Sequence, residues 1–547
     1  MKPITPQNDP DPQKRQDWLK RNRGDYEFDY AFLSPMAQLK NLPQREHFSN
    51  KYLAERLAAT AELPINMLAI KFQSFWDPLN ELQDYEDFFP VFSKPGVIKT
   101  YETDDSFVEQ RLCGVNPMVL CKMKQMPSHF PFTIEDLQKK LGPSLKLQQE
   151  LDKGNLYLVD YTKLSFVQGG TYERGKKYLP KPLAFFCWRS SGFSDRGQLV
   201  PVAIQISPET GQTSPIITPF DNPLIWFYAK LCVQIADANH HEMSSHLCRT
   251  HFVMEPFAIV TARQLAQNHP LGLLLRPHFQ FMLANNDLGR QRLVNRGGYV
   301  DELLAGTLQE SLQIVTDAYK EWSLDQFALP TELKNRGMDD VKSLPHYPYR
   351  DDGMLVWDVI KEFVSNYLNL YYKTPEDLNG DYELQGWAAE LVSQEGGRVK
   401  GVPASIQTVQ QLVDITTAII FTCGPQHASV NYPQYEYMTF MPNMPLAAYH
   451  QITEDGSLPD RKSLISLLPP TKQTADQLTI LYILSAYRYD RLGYYDNPFE
   501  DPQAEALLKQ FQQDLNDVEW KIELNNKSRL VKYNYLKPRL VPNSISV

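Results

Sequence analysis

The stretch His240–His278, HHEMSSHLCRTHFVMEPFAIVTARQLAQNHPLGLLLRPH, holds six of the chain's eleven histidines. Three of them, His241, His246 and His251, recur at intervals of five residues. On an α-helix a step of five turns the side chain about 140° out of alignment, so an ordinary helix would scatter these rings. A π-type turn, with hydrogen bonds from i to i+5, would bring them onto one face. The spacing therefore predicts a functional site on a locally π-helical segment.

A second pair of polar residues, His427 and Asn431, lies in QHASVNYPQ and has simpler geometry. Residues four apart share one face of a regular helix. Imidazoles combined with an amide oxygen form a nitrogen and oxygen ligand set without thiolate, which suits iron or manganese. Zinc remains open on ligand type alone.

The histidines have two other interpretations. A lone histidine is most often a hydrogen-bonded residue of the core or surface, but this does not explain a series at fixed spacing. The segment HEMSSH, residues 241–246, superficially resembles the HExxH motif of zinc proteases. Its two histidines are five residues apart, so they lack the i, i+4 spacing with which the protease motif binds zinc. The sequence therefore disfavours a zinc protease motif here.

Composition and charge exclude several classes. The net charge of -10 argues against nucleic acid as a partner, because phosphate binding normally requires a basic surplus. The six cysteines are scattered without a CxxC pair, which is typical of a reducing compartment. The N-terminal segment has no apolar signal region, and no stretch is apolar for the length of a spanning helix. We expect a cytoplasmic protein.

The pattern along the chain predicts one large helical unit. Residues 1–70 are expected to form a helical N-terminal extension that is partly mobile, with a helical pattern over Lys51–Ile70. From Trp226 onward the pattern is mostly helical. Alternating, β-branched segments predict a small sheet inserted among the helices, at Leu156–Tyr161, Leu183–Trp188 and Leu199–Ile206. The fold class is therefore mainly α with a small β-sheet.

The spacing of the histidines resembles that of the lipoxygenases. The series His241-x4-His246-x4-His251-x17-His269-x8-His278 reproduces the long histidine signature of that family. Further matching segments are Asp104–Pro117, Tyr157–Leu164, Tyr347–Ile360, Glu383–Trp387, His427–Tyr435, Leu467–Thr471 and the terminal PNSISV, Pro542–Val547. Such an ordered set is far more specific than any single short motif.

The resemblance implies a helical lipoxygenase catalytic domain over residues 71–547, without the β-sandwich that often precedes it. The chain is similar to minimal bacterial lipoxygenases, cyanobacterial ones in particular. One non-haem iron would be held by His246, His251, His427, Asn431 and the main-chain carboxylate of Val547. The family usually ends in Ile, and Val547 should alter packing more than coordination, because the ligand is the carboxylate. Glu242 and Gln434 match a polar pair that links the iron ligands to the substrate cavity.

The implied activity is insertion of O2 into polyunsaturated fatty acids such as linoleate and linolenate, after abstraction of a bis-allylic hydrogen. Gly289 occupies a position that is Gly in most R-specific members and Ala in most S-specific ones, so mainly R hydroperoxides are expected. The alternative is that Gly289 serves a backbone turn. Leu293 matches the residue that holds the pentadiene over the iron. The pocket would be shaped by Ala238, Val300, Leu303 and Leu304.

The sequence leaves other activities and several properties open. A hydroperoxide isomerase that makes epoxyalcohols would use the same fold, and a zinc hydrolase is a more distant alternative. The N-terminal helices are expected to make peripheral membrane contact. The sequence does not reveal which carbon is oxygenated, whether the substrate is a free or an esterified acid, or the oligomeric state.

Overall fold

The computed structural model describes residues 1–73, 79–127, 133–143, 145–190, 197–207, 214–452, 460–496 and 499–547. Across these residues α-helices dominate and strands are few and short. The expected mainly α fold with a small inserted sheet is confirmed.

The helices run through the whole chain. In order, they are α1 (Pro12–Asp25), α2 (Asn50–Ala59), α3 (Glu62–Gln73), α4 (Asp104–Cys113), α5 (Ile134–Leu141), α6 (Leu147–Asp152), α7 (Pro223–His240), α8 (Val253–Gln264), α9 (Pro270–Leu275), α10 (Met282–Arg292), α11 (Tyr299–Leu303), α12 (Leu308–Glu321), α13 (Leu324–Phe327), α14 (Leu329–Asn335), α15 (Pro348–Tyr371), α16 (Pro375–Gly380), α17 (Tyr382–Val392), α18 (Val409–Phe421), α19 (His427–Asn431), α20 (Gln434–Met438), α21 (Arg461–Leu467), α22 (Thr471–Ser485) and α23 (Pro502–Asn526). In the described part of the chain, two π-helical segments interrupt this series, His241–Phe252 and Thr422–Gln426.

Within the residues that the structure describes, the β-structure is one small antiparallel sheet with two minor ladders. The strands are β1 (Phe28–Asp29), β2 (Gln38–Leu39), β3 (Cys121–Lys122), β4 (Leu156–Asp160), β5 (Thr171–Tyr172), β6 (Gly175–Lys176), β7 (Leu183–Arg189), β8 (Gln198–Gln205) and β9 (Ile216–Ile217). The sheet order is β3-β4-β7-β8-β9, and its three long strands are those expected from the alternating segments. The sheet packs on α4 and α7 through β8.

The element that positions the site is the central helix α7, which continues into the first π-helix and then α8. Its N-terminus is defined by Asn222, whose side chain accepts a hydrogen bond from the Leu224 amide, and by Pro223 in the first turn. From Trp226 to its end α7 is buried on all sides. Most of its buried side chains are apolar, and buried polar ones among them are paired, as in the ion pairs of Lys230 with Asp104 and of Asp237 with Arg111.

The first hundred residues pack against this core as helices and one two-stranded ladder, and within the described residues they form no β-sandwich. Helix α1 packs on α8. Its Arg15 is buried, and its guanidinium reaches both carboxylate oxygens of Glu383 and one of Asp9. The domain boundary at residue 70 stays a prediction. In the described part of the chain, no helix combines the length and apolar character needed to cross a bilayer.

Candidate metal centre

The histidine series lies on a π-helix, as its spacing predicts. All twelve residues of His241–Phe252 are π-helical. The rings of His246 and His251 come to 5.1 Å of each other, centroid to centroid. His241 is directed differently, because its Nε2 hydrogen-bonds the Val430 carbonyl at 2.8 Å. The predicted local geometry is confirmed, and it brings two of the three spaced histidines to one point.

His427 completes a cluster of three imidazoles. The Nε2 atom of His246 lies 3.4 Å from Nε2 of His427 and 3.4 Å from Nε2 of His251. One nitrogen from each ring lies within 4.8 Å of the others, and all three side chains are buried. This arrangement has the size and composition of a metal site with open positions.

Polar contacts of the outer nitrogens determine how two of the rings, those of His246 and His251, are protonated. Asn286 donates through Nδ2 to Glu255, at 2.6 Å, which leaves its Oδ1 as an acceptor facing His251. His251 therefore donates through Nδ1 to Asn286, at 3.0 Å, and its Nε2 carries a lone pair. The Nδ1 of His246 lies 3.5 Å from the Glu242 carboxylate, so its Nε2 lone pair also points inward.

These lone pairs make a cation fit the site. Two lone pairs that face each other at 3.4 Å repel unless a cation lies between them. A shared proton is disfavoured near neutral pH, because burial lowers the pKa of all three imidazoles, to about 3 for His251. Neutral imidazoles held in place through their outer nitrogen are the form in which histidine binds metals.

A second π-helical segment precedes His427 and was not predicted from the sequence. Helix α18 passes into Thr422–Gln426 and then α19, which carries His427 and Asn431 one turn apart. The Asn431 Oδ1 accepts from Gln434 at 2.8 Å, while its Nδ2 donates to the Leu484 carbonyl at 2.7 Å. These bonds fix the orientation of the amide. Gln434 thus contacts Asn431, while its predicted role with Glu242 in linking the cluster to the cavity stays a prediction.

The C-terminal segment is buried beside the cluster. Val547 is 4% exposed and lines the same cavity as His246 and His251. The segment is held at Asn543, whose main-chain and side-chain nitrogens both donate to Asp490 at 2.8 Å. Burial raises the pKa of Asp490 to about 6. Sequence analysis missed Asp490, which lies far from the recognised motifs.

An apolar cavity of about 410 Å³ opens onto the cluster. Its wall includes the following predicted residues: Glu242, Gly289, Leu293, Val300, Leu303 and Leu304. Ala238 is not among the lining residues in the described structure; it is fully buried within α7, and its pocket role stays a prediction. Arg56 of α2 lines the cavity and was not identified from the sequence. A cation at the wall of an apolar cavity suits an amphipathic acid.

Gly289 lies within helix α10, not in a turn. A methyl group at this position would meet no atom within 4 Å. The backbone therefore does not require glycine here, and the space beside Gly289 belongs to the cavity. The notion that this glycine serves a turn has no support.

Comparison with known proteins agrees with this geometry. The allene oxide synthase-lipoxygenase protein of Plexaura homomalla is 32% identical, with a match that covers 98% of this chain and 53% of that protein, about half its length. The linoleate 9/13-lipoxygenase of Pseudomonas aeruginosa is 31% identical over 85% of this chain and 70% of its own. The human hydroperoxide isomerase ALOXE3 is 32% identical, with a match that covers 86% of this chain and 66% of that protein.

A solved structure and a family model point to the same family. The crystal structure of coral 8R-lipoxygenase superposes with a TM-score of 0.91 at 31% identity, covering 100% of this chain and 83% of that one. The family model described as Lipoxygenase matches residues 66–542. Together with a buried imidazole cluster beside an apolar cavity, these matches show that the chain belongs to the lipoxygenase family.

Proposed function

We propose that this chain is a non-haem iron dioxygenase that converts polyunsaturated fatty acids such as linoleate and linolenate, with O2, into hydroperoxides. The observation that carries the proposal is the buried cluster of three imidazoles, two of which, those of His246 and His251, line the apolar cavity. Lipoxygenases in general depend on non-haem iron, and a relative is named as a linoleate 9/13-lipoxygenase. An apolar cavity closed at a redox metal suits abstraction of hydrogen from a hydrocarbon chain.

The proposed iron ligands are His246, His251, His427, the Asn431 amide oxygen and the main-chain carboxylate of Val547. Bound there, iron would supply one-electron redox chemistry between Fe2+ and Fe3+. The burial of Val547 beside His246 and His251 supports its inclusion. A nitrogen and oxygen set of this kind favours iron over metals that prefer thiolate.

The residues of the chain would then position the substrate. Leu293, Leu303 and Leu304 line the cavity and would hold the pentadiene against the cluster. Arg56 lines the same cavity and would meet the carboxylate of a free fatty acid. Glu242 lines the cavity next to His246 and would keep that ring oriented. The apolar wall excludes water from the reacting carbons.

R stereochemistry is proposed from Gly289. The open space at this glycine would leave one face of the pentadiene accessible to O2. The coral relative is named as an 8R-lipoxygenase, which supports the same sense of chirality. Alanine would place a methyl group in that space without displacing any neighbour.

Peripheral membrane contact is proposed through α2 and α3. These helices expose large apolar side chains, namely Leu53, Leu57, Ile65, Leu68 and Phe72. Exposed apolar patches of this kind mark membrane or partner surfaces. Leu57→Asp should weaken cosedimentation with phosphatidylcholine vesicles, whereas Leu530→Asp, equally exposed elsewhere, should not. Equal vesicle binding by both variants would exclude this surface.

The experiment that tests the main proposal combines metal analysis, oxygen uptake and chiral product analysis on the purified protein with linoleic acid. We expect about one iron per chain, stoichiometric O2 consumption and conjugated-diene products that are mainly R. Little O2 uptake with a preformed hydroperoxide as the preferred substrate would instead indicate an isomerase, the activity named for ALOXE3. Zinc without diene formation would indicate a hydrolase and contradict the proposal.

A further inference from the structure

The N-terminal helix α2 reaches the last peptide of the chain. Tyr52 of α2 is fully buried, and its hydroxyl donates to the Ser546 carbonyl at 2.6 Å. That carbonyl belongs to the peptide bond that joins Ser546 to Val547. A side chain from the N-terminal extension therefore contacts the peptide group that precedes Val547, the residue whose carboxylate is a proposed ligand.

The Tyr52 hydroxyl is part of a chain of hydrogen bonds. Arg56, one turn further along α2, donates through Nη1 to the Tyr52 oxygen at 3.0 Å. The hydroxyl thus accepts from a cation and donates to a carbonyl, and such chains strengthen each member by mutual polarisation. Because Arg56 also lines the cavity, this chain connects the cavity wall to the end of the protein.

The position of the Tyr52 ring is fixed by its neighbours. It stacks on Phe48, with ring centroids 4.5 Å apart and planes 6° from parallel, and packs against Phe281 at 4.8 Å. A ring held on several sides leaves its hydroxyl little freedom. The hydroxyl can therefore serve as a fixed donor for the Ser546 carbonyl.

The rest of the C-terminal segment is held by other parts of the chain. Asp490 binds Asn543, and the Ser544 hydroxyl donates to the Gln280 carbonyl at 2.7 Å. Within the described residues, Tyr52 makes the only side-chain hydrogen bond to the main chain of residues 545–547. Without it, no side-chain hydrogen bond from the described residues would reach the main chain of these last three residues.

We infer that Tyr52 is a positioning residue of the metal centre, through which the N-terminal extension fixes the peptide that carries the Val547 carboxylate. This inference rests on the proposed iron site. It assigns to α2 a role in holding metal that is separate from its exposed apolar face. Outer partners of metal ligands act by holding the ligand in the geometry that binding requires.

The test compares Tyr52→Phe with a matched control, Tyr487→Phe. The first variant keeps the ring and its packing but removes the bond to Ser546. The second removes a hydroxyl that donates to Glu55 of α2 at 2.7 Å, from a ring that contacts Tyr52 at 5.4 Å, without touching the C-terminal segment. Both variants lose one hydrogen bond between α2 and the body of the protein.

Three measurements are made on wild type and both variants: the rate of iron release to an excess of a ferrous chelator, the electron paramagnetic resonance spectrum of the ferric form, and thermal unfolding of the metal-free protein. Tyr52→Phe should release iron about tenfold faster and show an altered ferric spectrum. Tyr487→Phe should match wild type in both. The unfolding temperatures of the two metal-free variants should fall by similar amounts.

Arg56→Gln provides a second variant. It weakens the hydrogen bond that the Tyr52 oxygen accepts but keeps the one that Tyr52 donates to Ser546, so it should accelerate iron release less than Tyr52→Phe does. Equal iron release by Tyr52→Phe and Tyr487→Phe, with wild type holding iron, would overturn the inference and leave the proposed function intact. A wild-type protein that binds no iron would overturn both.

Discussion

The two π-helical segments in the described part of the chain share the same irregular helix geometry but have different structural roles. In the first, His241–Phe252, the i+5 geometry itself aligns His246 with His251. The second, Thr422–Gln426, ends before its histidine and contains no proposed ligand. There, Gly424 faces the C-terminal segment, and a methyl group at this position would lie 2.9 Å from the Pro542 carbonyl oxygen. One π-segment therefore aligns side chains, while the other allows two stretches of backbone to come close together.

The largest effect is expected in the first segment. His251→Ala removes one of three inward nitrogens, and iron affinity should fall by more than about 100-fold, since even outer partners of ligands cost 10–100-fold. Oxygen uptake with linoleic acid should be lost with the metal. His241→Gln is the control, because His241 belongs to the same spaced series but bonds the Val430 carbonyl. Full iron content in His251→Ala, measured by metal analysis, would refute the alignment.

The pH dependence of stability tests how the C-terminal segment is held. His278 is fully buried and its Nδ1 bonds the Asn543 carbonyl at 2.9 Å. Burial lowers the pKa of His278 from 6.5 to about 4. Between these two pKa values the unfolded chain binds a proton that the folded chain does not bind. The free energy of unfolding should therefore decrease by roughly 3 kcal/mol as the pH falls from about 6.5 to about 4.

His278→Gln should remove this part of the acid sensitivity, which denaturant unfolding of the two proteins across that pH range would measure. The exposed His450→Gln serves as the control and should behave as wild type. If His278→Gln loses stability with acid exactly as steeply as wild type, the buried neutral state of His278 is wrong.

Two glycine variants, Gly424→Ala and Gly289→Ala, compare the second π-segment with the cavity wall. Gly424→Ala should lower the free energy of unfolding by about 1–2 kcal/mol, because the new methyl group meets backbone that must shift. It should also speed iron release, since the displaced backbone leads to Val547. A stable Gly424→Ala protein with normal iron retention would show that the close approach is unimportant.

Gly289→Ala is expected to have the smallest effect on stability, because the added methyl group enters open space. Its effect should appear in the product, as a shift from R toward S hydroperoxide or to a different oxygenated carbon. Chiral chromatography of the linoleate products measures this. Unaltered products would refute the stereochemical role of Gly289.

Much of this architecture was predictable from local patterns. The helical dominance, the three long strands and the π-geometry around His246 all follow from periodicity and spacing in the sequence. Strands such as β3 and β9 have two residues each, too few to show an alternating pattern. The second π-segment, TCGPQ, carries no series of like residues at five-residue spacing, and its Gly424 and Pro425 give no periodic signal.

The missed parts of the site share a physical cause. Tyr52 and Ser546 are separated by 494 positions, and Arg56 reaches the cavity from the same distant helix. Contacts of this kind depend on the packing of whole helices, which no local pattern encodes. The pocket role of Ala238, which rests on motif position, stays a prediction, because α7 buries this residue and it is not among those that line the described cavity.

The most direct test of the central claim is a crystal structure with anomalous data collected on both sides of the iron absorption edge. The account predicts a single iron peak enclosed by His246, His251 and His427, with the Val547 carboxylate as a further ligand. A peak elsewhere, a zinc signal in its place, or a Val547 carboxylate turned away from the three imidazoles would contradict it.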